Sequence, residues 1–190
     1  MKPSADVGAV QHELAPDSSG QVDVFRILSL LPIRPYLTVA DVGCGAGLFT
    51  IPMAKATWGG KVYALDTSEE MLESVKKRAQ EARLGNIVTL KSEETKLPLE
   101  AGSLEGALLA FVLHEASDKA ALLKAVEEKL EHRGWCAIIE WSKKAKGGEG
   151  PPQKQRLTEE DVVKLGVQAG LRVTLRRELS SHHYMVVLNK

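Results

Sequence analysis

The chain has 190 residues, 44% of them hydrophobic, and its 25 lysine and arginine side chains balance 25 aspartate and glutamate side chains. This length and composition predict one domain with a full core. The balanced charge argues against general attraction to nucleic acid or anionic lipid, and no apolar run of about 18 residues predicts a membrane span. Cys44 and Cys136 suggest neither a disulfide framework nor a metal site, so a cytoplasmic location is expected.

Strands and helices are predicted to alternate along the chain. Residues 1–20 are expected to form a loose arm or lid, and Val22, Phe25 and Leu28 recur at helical spacing, which predicts a helix over 21–31. Further helices are predicted over about 47–57, 68–83, 118–133 and 158–169. Strands are predicted over 37–42, 61–66, 86–91, 105–113, 135–141, 171–178 and 183–189.

The ends of two helices are predicted from capping residues. Thr67 or Ser68 is expected to cap the helix that runs to about residue 83, with Glu70 three residues after Thr67 as a possible capping box and Gly85 closing it. Thr158 is expected to begin the last helix and Gly170 to end it.

The alternation predicts an α/β fold, in which right-handed crossovers place helices on both faces of a parallel sheet. The last two strands have no helix between them and are therefore expected to form an antiparallel pair. The irregular stretch over 143–155 is the longest inside the domain, which makes it a candidate substrate-facing loop.

The most informative segment is Asp41-Val-Gly-Cys-Gly-Ala-Gly47, which follows the first strand. Its three alternating glycines allow a tight turn and the close approach of a nucleotide-like ligand. A dinucleotide-binding fingerprint needs a small residue at its third glycine position. That position is Leu48 when the motif is counted from Gly43 and Thr50 when it is counted from Gly45, so neither fits. Asp41 would also repel a pyrophosphate, whereas it suits a ligand that carries an ammonium group.

This segment resembles the first motif of class I S-adenosylmethionine-dependent methyltransferases, whose loop holds the methionine part of the cofactor. The resemblance covers about residues 21–189 and is strongest to the ubiquinone/menaquinone-methyltransferase-like subgroup. It implies a single domain with a Rossmann-like, seven-stranded, mostly parallel sheet and an antiparallel C-terminal strand pair. It also implies S-adenosylmethionine as cofactor and in-line transfer to a methyl acceptor, for which a small molecule is expected.

The resemblance extends to other positions. Asp66, at the end of the second strand, is placed to accept both ribose hydroxyls. Glu93, five residues before Pro98, corresponds to the acid that binds the adenine amino group, with Glu94 as the alternative. The residues expected to contact the cofactor are Asp41, Gly43, Cys44, Gly45, Gly47, Asp66, Thr67, Met71, Glu93, Glu94 and Phe111.

The segment Ala110–Glu115 looks like the family's fourth-strand motif, whose end faces the transferable methyl group. His114 and Glu115 are the candidate catalytic residues, because an unperturbed imidazole titrates near neutrality and can orient or deprotonate a substrate. Glu140 shares that candidacy, while Trp141 either walls a substrate pocket or packs against the sheet. His114 could equally be a structural residue.

Two positions depart from the family pattern. Glu105 and Gly106 stand where an aspartate usually enters the fourth strand, and Glu115 replaces the second of a histidine pair. His182, His183 and Tyr184 look like a metal cluster, but adjacent residues of a strand point to opposite faces, so no metal site is expected.

Three alternatives to a small-molecule methyltransferase are considered. One is a regulatory or partner protein that binds the cofactor without turnover, and another is a nicotinamide dehydrogenase, which the glycine spacing disfavours. A nucleic-acid methyltransferase is disfavoured because the Asn/Asp-Pro-Pro-aromatic signature is absent from 110–113. The lysines at 143, 144 and 146 are therefore interpreted as a solvated surface loop. The sequence does not give the oligomeric state, and a homodimer is one possibility.

Overall fold

The computed structural model describes residues 22–145 and 150–190. The predicted arm over 1–20 and part of the predicted loop over 143–155 lie outside the described residues.

The sheet has seven strands among the described residues. In chain order they are β1 (Thr38–Val42), β2 (Lys61–Asp66), β3 (Ile87–Lys91), β4 (Leu104–Ala110), β5 (Leu130–Trp141), β6 (Arg172–Glu178) and β7 (His183–Asn189). Their order across the sheet is β3-β2-β1-β4-β5-β7-β6, and all neighbouring pairs are parallel except the two that β7 makes. The predicted mostly parallel sheet with an antiparallel C-terminal pair is confirmed.

Helices cover both faces of this sheet. Those described are α1 (Val24–Ser29), α2 (Thr50–Ala56), α3 (Glu69–Glu81), α4 (Lys119–Lys129) and α5 (Glu159–Gln168). Side chains of β4 alternate between the faces, so Leu108 packs in the cluster with α1 and α2 while Leu109 packs with α4. Both leucines are fully buried, as a central parallel strand requires.

The candidate functional residues converge at the centre of the sheet. Chain order reverses between β1 and β4, which lie side by side although β2 and β3 intervene in sequence. In open α/β sheets, ligands bind beyond the carboxyl ends of the strands at such a switch point. The glycine turn after β1 and the segment after β4 therefore share one edge of the sheet.

Helix α5 confirms a prediction made from local signals. The hydroxyl of Thr158 accepts a hydrogen bond from the backbone N–H of Asp161 (3.1 Å), and the Asp161 carboxylate accepts one from the backbone N–H of Thr158 (2.9 Å). This reciprocal pair fixes the first turn. Gly170 follows the helix in a left-handed conformation (φ 95°), as expected of a helix stop.

Of the two predicted N-caps of α3, the structure confirms Ser68, whose hydroxyl accepts a hydrogen bond from the backbone N–H of Met71 at 3.4 Å. The predicted capping box of Thr67 and Glu70 and the predicted stop at Gly85 are wrong. The helix ends at Glu81, and the left-handed residue after it is Arg83 (φ 55°) rather than Gly85.

Three further boundaries differ from the prediction. Helix α1 is shorter than 21–31, with Asp23 as its N-cap. Helix α2 begins three residues late, because Gly47 has a left-handed backbone (φ 84°). Helix α4 ends four residues early, because Leu130 already pairs with Leu104 and extends β5 to twelve residues.

The fourth strand is also shorter than the predicted run over 105–113. It ends at Ala110 because Phe111 takes a left-handed conformation, with φ of 62°. Glu105 has a structural role near its start, since its carboxylate accepts a hydrogen bond from the backbone N–H of Thr38 (2.7 Å). This contact links the beginnings of β1 and β4 below the site.

Candidate functional site

The glycine turn after β1 has a backbone that side chains would disturb. Gly43, Gly45 and Gly47 all have positive φ, at 70°, 49° and 84°. A Cβ on Gly43 would lie 2.5 Å from a methyl carbon of Val112, whereas a Cβ on Gly45 would have no heavy atom within 4 Å. The turn is therefore packed against Val112 at Gly43, whereas the space beside Gly45 is open.

Asp66, the last residue of β2, is bound to this turn. One carboxylate oxygen accepts a hydrogen bond from the backbone N–H of Gly45 (2.8 Å), and the other accepts from the backbone N–H of Ser68 (2.8 Å). Each carboxylate oxygen has a second lone pair, so a half-buried Asp66 can still accept hydroxyl groups from a ligand. Thr67 is exposed and Met71 half-buried beside it.

Asp41 lies beneath the turn rather than at its surface. Its side chain is only 2% exposed, and one carboxylate oxygen accepts a hydrogen bond from the Thr50 hydroxyl (2.6 Å). Burial raises the pKa of Asp41 to about 6; the Thr50 hydrogen bond opposes this rise and the charge of Asp66 adds to it. Cys44 is also buried here, and burial raises the pKa of its thiol.

Two residues that the sequence did not single out support the turn. The guanidinium of Arg78, from α3, donates a hydrogen bond to the backbone carbonyl of Ala46 (2.6 Å). Val112 fills the space beside Gly43 from the segment after β4. Neither contact has a local sequence signal, because the partners are far apart in the chain.

The structure separates the two candidate acids after β3. Glu93 is exposed, pairs with Lys96 (2.8 Å), and lies on an open depression of about 410 Å³ next to Pro98. Glu94 instead turns to the start of α4, where one oxygen accepts hydrogen bonds from Ser117 N (2.6 Å), Ser117 Oγ (2.8 Å) and Asp118 N (3.1 Å). These bonds, that from Asp118 foremost, lower the pKa of Glu94.

His114 and Glu140 form a buried pair at the carboxyl ends of β4 and β5. Glu140 is completely buried; one oxygen accepts from the backbone N–H of His114 (2.9 Å), and the other lies 2.8 Å from Nδ1 of the same ring. A carboxylate is an acceptor only, so this contact fixes the tautomer with hydrogen on Nδ1 and leaves the Nε2 lone pair available. A carboxylate oxygen of exposed Glu115 lies 3.7 Å from Nε2.

Aromatic side chains surround the other face of the same edge. The rings of Phe111 and Trp141 lie 5.7 Å apart, and Trp141 is almost fully buried. The guanidinium of Arg156 lies over the Trp141 indole at 5.5 Å. The indole thus packs into the protein, while the partly exposed Phe111 forms part of the surface above the sheet.

Comparisons with known proteins agree with this geometry. A family model described as "Methyltransferase domain" matches residues 40–138. A SAM-dependent methyltransferase of known structure from Aquifex aeolicus is 31% identical, with a TM-score of 0.83 over 88% of this chain and 89% of that one.

The chain belongs to this family. It is a class I S-adenosylmethionine-dependent methyltransferase domain, with S-adenosylmethionine as its cofactor.

The methyltransferase domain is also related to quinone methyltransferases. It is 33% identical to the demethylmenaquinone methyltransferase of Lactococcus lactis over 107 residues, which are 56% of this chain and 42% of that protein. The chain spans about half the length of the curated relatives it matches. The [4+2]-cyclase SpnF has a TM-score of 0.78 but only 14% identity, so that likeness shows the fold alone.

Over 22–145 and 150–190, no group of three or more histidine, cysteine or acidic side chains is arranged to hold a metal ion. Within the same residues, no helix is long and apolar enough to cross a bilayer.

Proposed function

We propose that this methyltransferase transfers the methyl group of S-adenosylmethionine to a small-molecule acceptor bound over the carboxyl ends of β4 and β5. The observation that carries the proposal is the His114–Glu140 pair, in which His114 lies on the segment that follows β4 and Glu140 lies near the end of β5. The same segment supplies Val112, which packs on Gly43. The segment that carries the proposed proton acceptor therefore also packs against the proposed cofactor turn.

The residues around the turn fit the cofactor. The open space at Gly45 leaves its backbone accessible, and the free lone pairs of Asp66 suit the two ribose hydroxyls. The negative charge of Asp41 below the turn favours an ammonium group above it. Of the two acids after β3, we assign adenine recognition to Glu93, because Glu94 is occupied with the start of α4. Gly43, Gly47, Cys44, Thr67, Met71 and Phe111 complete the proposed cofactor surface.

The chemistry that the bound cofactor supplies is an electrophilic methyl group on a sulfonium. The protein has to orient the acceptor and, where the attacking atom carries a proton, to remove it. We assign that proton transfer to Nε2 of His114, since Glu140 holds the hydrogen on Nδ1. Glu115 lies close enough to Nε2 to orient an acceptor there. A positioned base of this kind contributes about 10²–10⁴-fold to the rate.

The acceptor class is proposed from the relatives. Since relatives are named demethylmenaquinone methyltransferases, a short-chain demethylmenaquinol is the first acceptor to test. We further propose that the protein is cytoplasmic and does not bind nucleic acid, which its two free, buried cysteines and its balanced charge support.

The test combines calorimetry with S-adenosylhomocysteine and transfer of a radiolabelled methyl group to a panel of phenols, quinols, thiols and amines. Micromolar binding that Asp66→Ala weakens, together with turnover of a small acceptor, is the expected result. Binding without turnover on any acceptor class would favour a regulatory role instead. Absence of binding at millimolar ligand would refute the cofactor assignments.

A further inference from the structure

His183, the first residue of β7, lies inside a cluster of aromatic rings that the proposed reaction does not use. It pairs with Trp141 across the β5–β7 ladder. Its ring centroid lies 4.3 Å from that of Trp141 and 5.0 Å from that of Phe111, both in edge-on contact. Such edge-to-face geometry is favourable and holds the imidazole in one orientation.

The hydrogen bonds of Ser180 decide the tautomer of this ring. The Ser180 hydroxyl oxygen accepts from the backbone N–H groups of His182 (3.1 Å) and His183 (3.2 Å). Both lone pairs are then in use, so the hydroxyl hydrogen is the group that meets Nδ1 of His183, 3.4 Å away. Nδ1 therefore accepts, and in the neutral ring the hydrogen is on Nε2.

That Nε2–H group is buried without an acceptor. His183 is 2% exposed, and across the described part of the chain Nε2 has no hydrogen-bond partner. Burial, with the neighbouring positive charges of His182 and Arg156, lowers the pKa of His183 to about 4, so the ring is neutral at pH 7. A buried donor left unsatisfied is costly and rare in native proteins, which points to a missing acceptor.

The surroundings of the ring have the features of a binding site. His183 and Ser180 line a cavity of about 100 Å³ between the β6–β7 turn and the start of α1, together with Val22, Asp23, Arg26, Ile27 and Leu179. Phe111 holds a left-handed backbone, which is strained for a phenylalanine and is found mainly where function requires it. Phe111 precedes His114 by three residues, and Trp141 directly follows Glu140, so the cluster borders the proposed reaction site.

We propose that His183 is an acceptor-binding residue whose Nε2–H donates a hydrogen bond to an oxygen atom of a planar methyl acceptor that occupies the cavity lined by His183, next to the rings of Phe111 and Trp141. This inference rests on the proposed function, because it assumes that the acceptor binds at this edge of the sheet. It specifies the acceptor chemistry: a flat ring that bears a carbonyl or ionised hydroxyl oxygen.

A buried hydrogen-bond donor would allow the site to discriminate between ring compounds with and without an oxygen atom. An oxygen-bearing ring satisfies the buried donor, whereas a hydrocarbon of the same shape leaves it unpaired. Sites built around such a donor reject analogues that lack the partner atom, because the unpaired group keeps its full desolvation cost. For one hydrogen bond, the expected preference for the oxygen-bearing ring is about tenfold.

The first test reads the tautomer of His183 in the wild-type protein by long-range ¹H–¹⁵N NMR at pH 7, with S-adenosylhomocysteine added. The expected spectrum has a protonated Nε2 and an unprotonated Nδ1. A protonated Nδ1 would overturn the proposal, since the ring would then present an acceptor rather than a donor. This test needs no knowledge of the natural acceptor and no mutation.

The second test titrates acetophenone and ethylbenzene, which differ by one carbonyl oxygen, into the same sample. We expect acetophenone to bind about tenfold more tightly and to shift the His183 Nε2–H signal. In His183→Phe, which keeps an aromatic ring but loses the donor, the preference disappears; His183→Gln, which retains an N–H, keeps part of it. His132→Phe, an exposed control, behaves as wild type. Equal binding of the two probes to the wild type would overturn the proposal.

The two proposals fail in different ways. If no acceptor is methylated but acetophenone is preferred through His183, the donor site stands and the proposed function is wrong. If an acceptor is methylated and His183→Phe leaves its kcat/KM unchanged, the function stands and the role of His183 is refuted. S-adenosylhomocysteine affinity, expected to be unchanged in His183→Phe, checks that the variant is folded.

Discussion

We expect Gly43→Ala to lose more stability than Gly45→Ala, and Gly45→Ala to lose more cofactor affinity than Gly43→Ala. Both residues have a left-handed backbone, which costs an alanine about 1–2 kcal/mol. Only Gly43 adds a steric conflict, because its new methyl carbon would lie 2.5 Å and 2.9 Å from the two methyl carbons of Val112. Overpacking of this kind costs about 1–3 kcal/mol. Gly43→Ala should therefore lose about 2–5 kcal/mol, and Gly45→Ala only about 1–2 kcal/mol.

Cofactor binding should rank the variants the other way. No protein atom lies within 4 Å of a Cβ on Gly45, so the methyl group there would enter the space through which a ligand reaches the backbone. We expect Gly45→Ala to weaken S-adenosylhomocysteine at least about tenfold. Gly43→Ala, whose methyl group points at Val112, should weaken it less once the protein is folded.

Urea denaturation of the ligand-free proteins and calorimetry with S-adenosylhomocysteine measure the two quantities. The Val112→Ala variant provides the control, because it removes both methyl carbons that conflict with Gly43→Ala. In a double-mutant cycle the two substitutions should couple favourably by about 0.5–3 kcal/mol. Equal stability losses in the two glycine variants, or a coupling energy near zero, would refute the packing argument.

Three further predictions concern acidic residues. Glu140→Gln should reduce kcat about 10²–10⁴-fold in the otherwise wild-type protein but only slightly in a His114→Ala background, because Glu140 acts through His114. Steady-state assays in which the two losses were additive would contradict this. The pKa of Asp41 is raised above its unfolded value of 3.8, so unfolding in urea should show wild-type stability lost as pH rises from about 4 to about 6. Asp41→Asn should remove that loss of stability. A pH profile of Asp41→Asn that matches the wild type would contradict this prediction. Glu93→Gln should weaken S-adenosylhomocysteine without lowering the Tm, whereas Glu94→Gln should lower the Tm without weakening the ligand, as calorimetry and thermal unfolding can determine.

The features predicted correctly from sequence are those whose causes lie within a few residues. The predicted helix start at Thr158 depends on contacts within four positions, and the glycine turn spans five. The parallel sheet followed from the alternation of strands and helices, and the antiparallel pair from the absence of a helix before His183. Family resemblance then supplied the cofactor.

The features that sequence could not supply depend on contacts between distant positions. The boundary between α4 and β5 moved because Leu130 pairs with Leu104 in the sheet, a contact that overrides local helix propensity. Glu94 is directed to α4 by Ser117, 23 positions away. The sequence supports a structural and a functional interpretation of His114 equally, because its carboxylate partner lies 26 positions further along the chain.

Val112 has a practical consequence for engineering this enzyme. A library that varies the residues between Phe111 and Glu115 to admit new acceptors would naturally include it, since it stands between the aromatic ring and the proposed base. Yet its methyl carbons are the wall against which Gly43 is packed. Larger residues at 112 would press on the turn that we propose holds the methyl donor. A selection would then report lost donor affinity as if it were poor binding of the acceptor. Position 115, whose side chain is exposed, is the safer starting point for diversification.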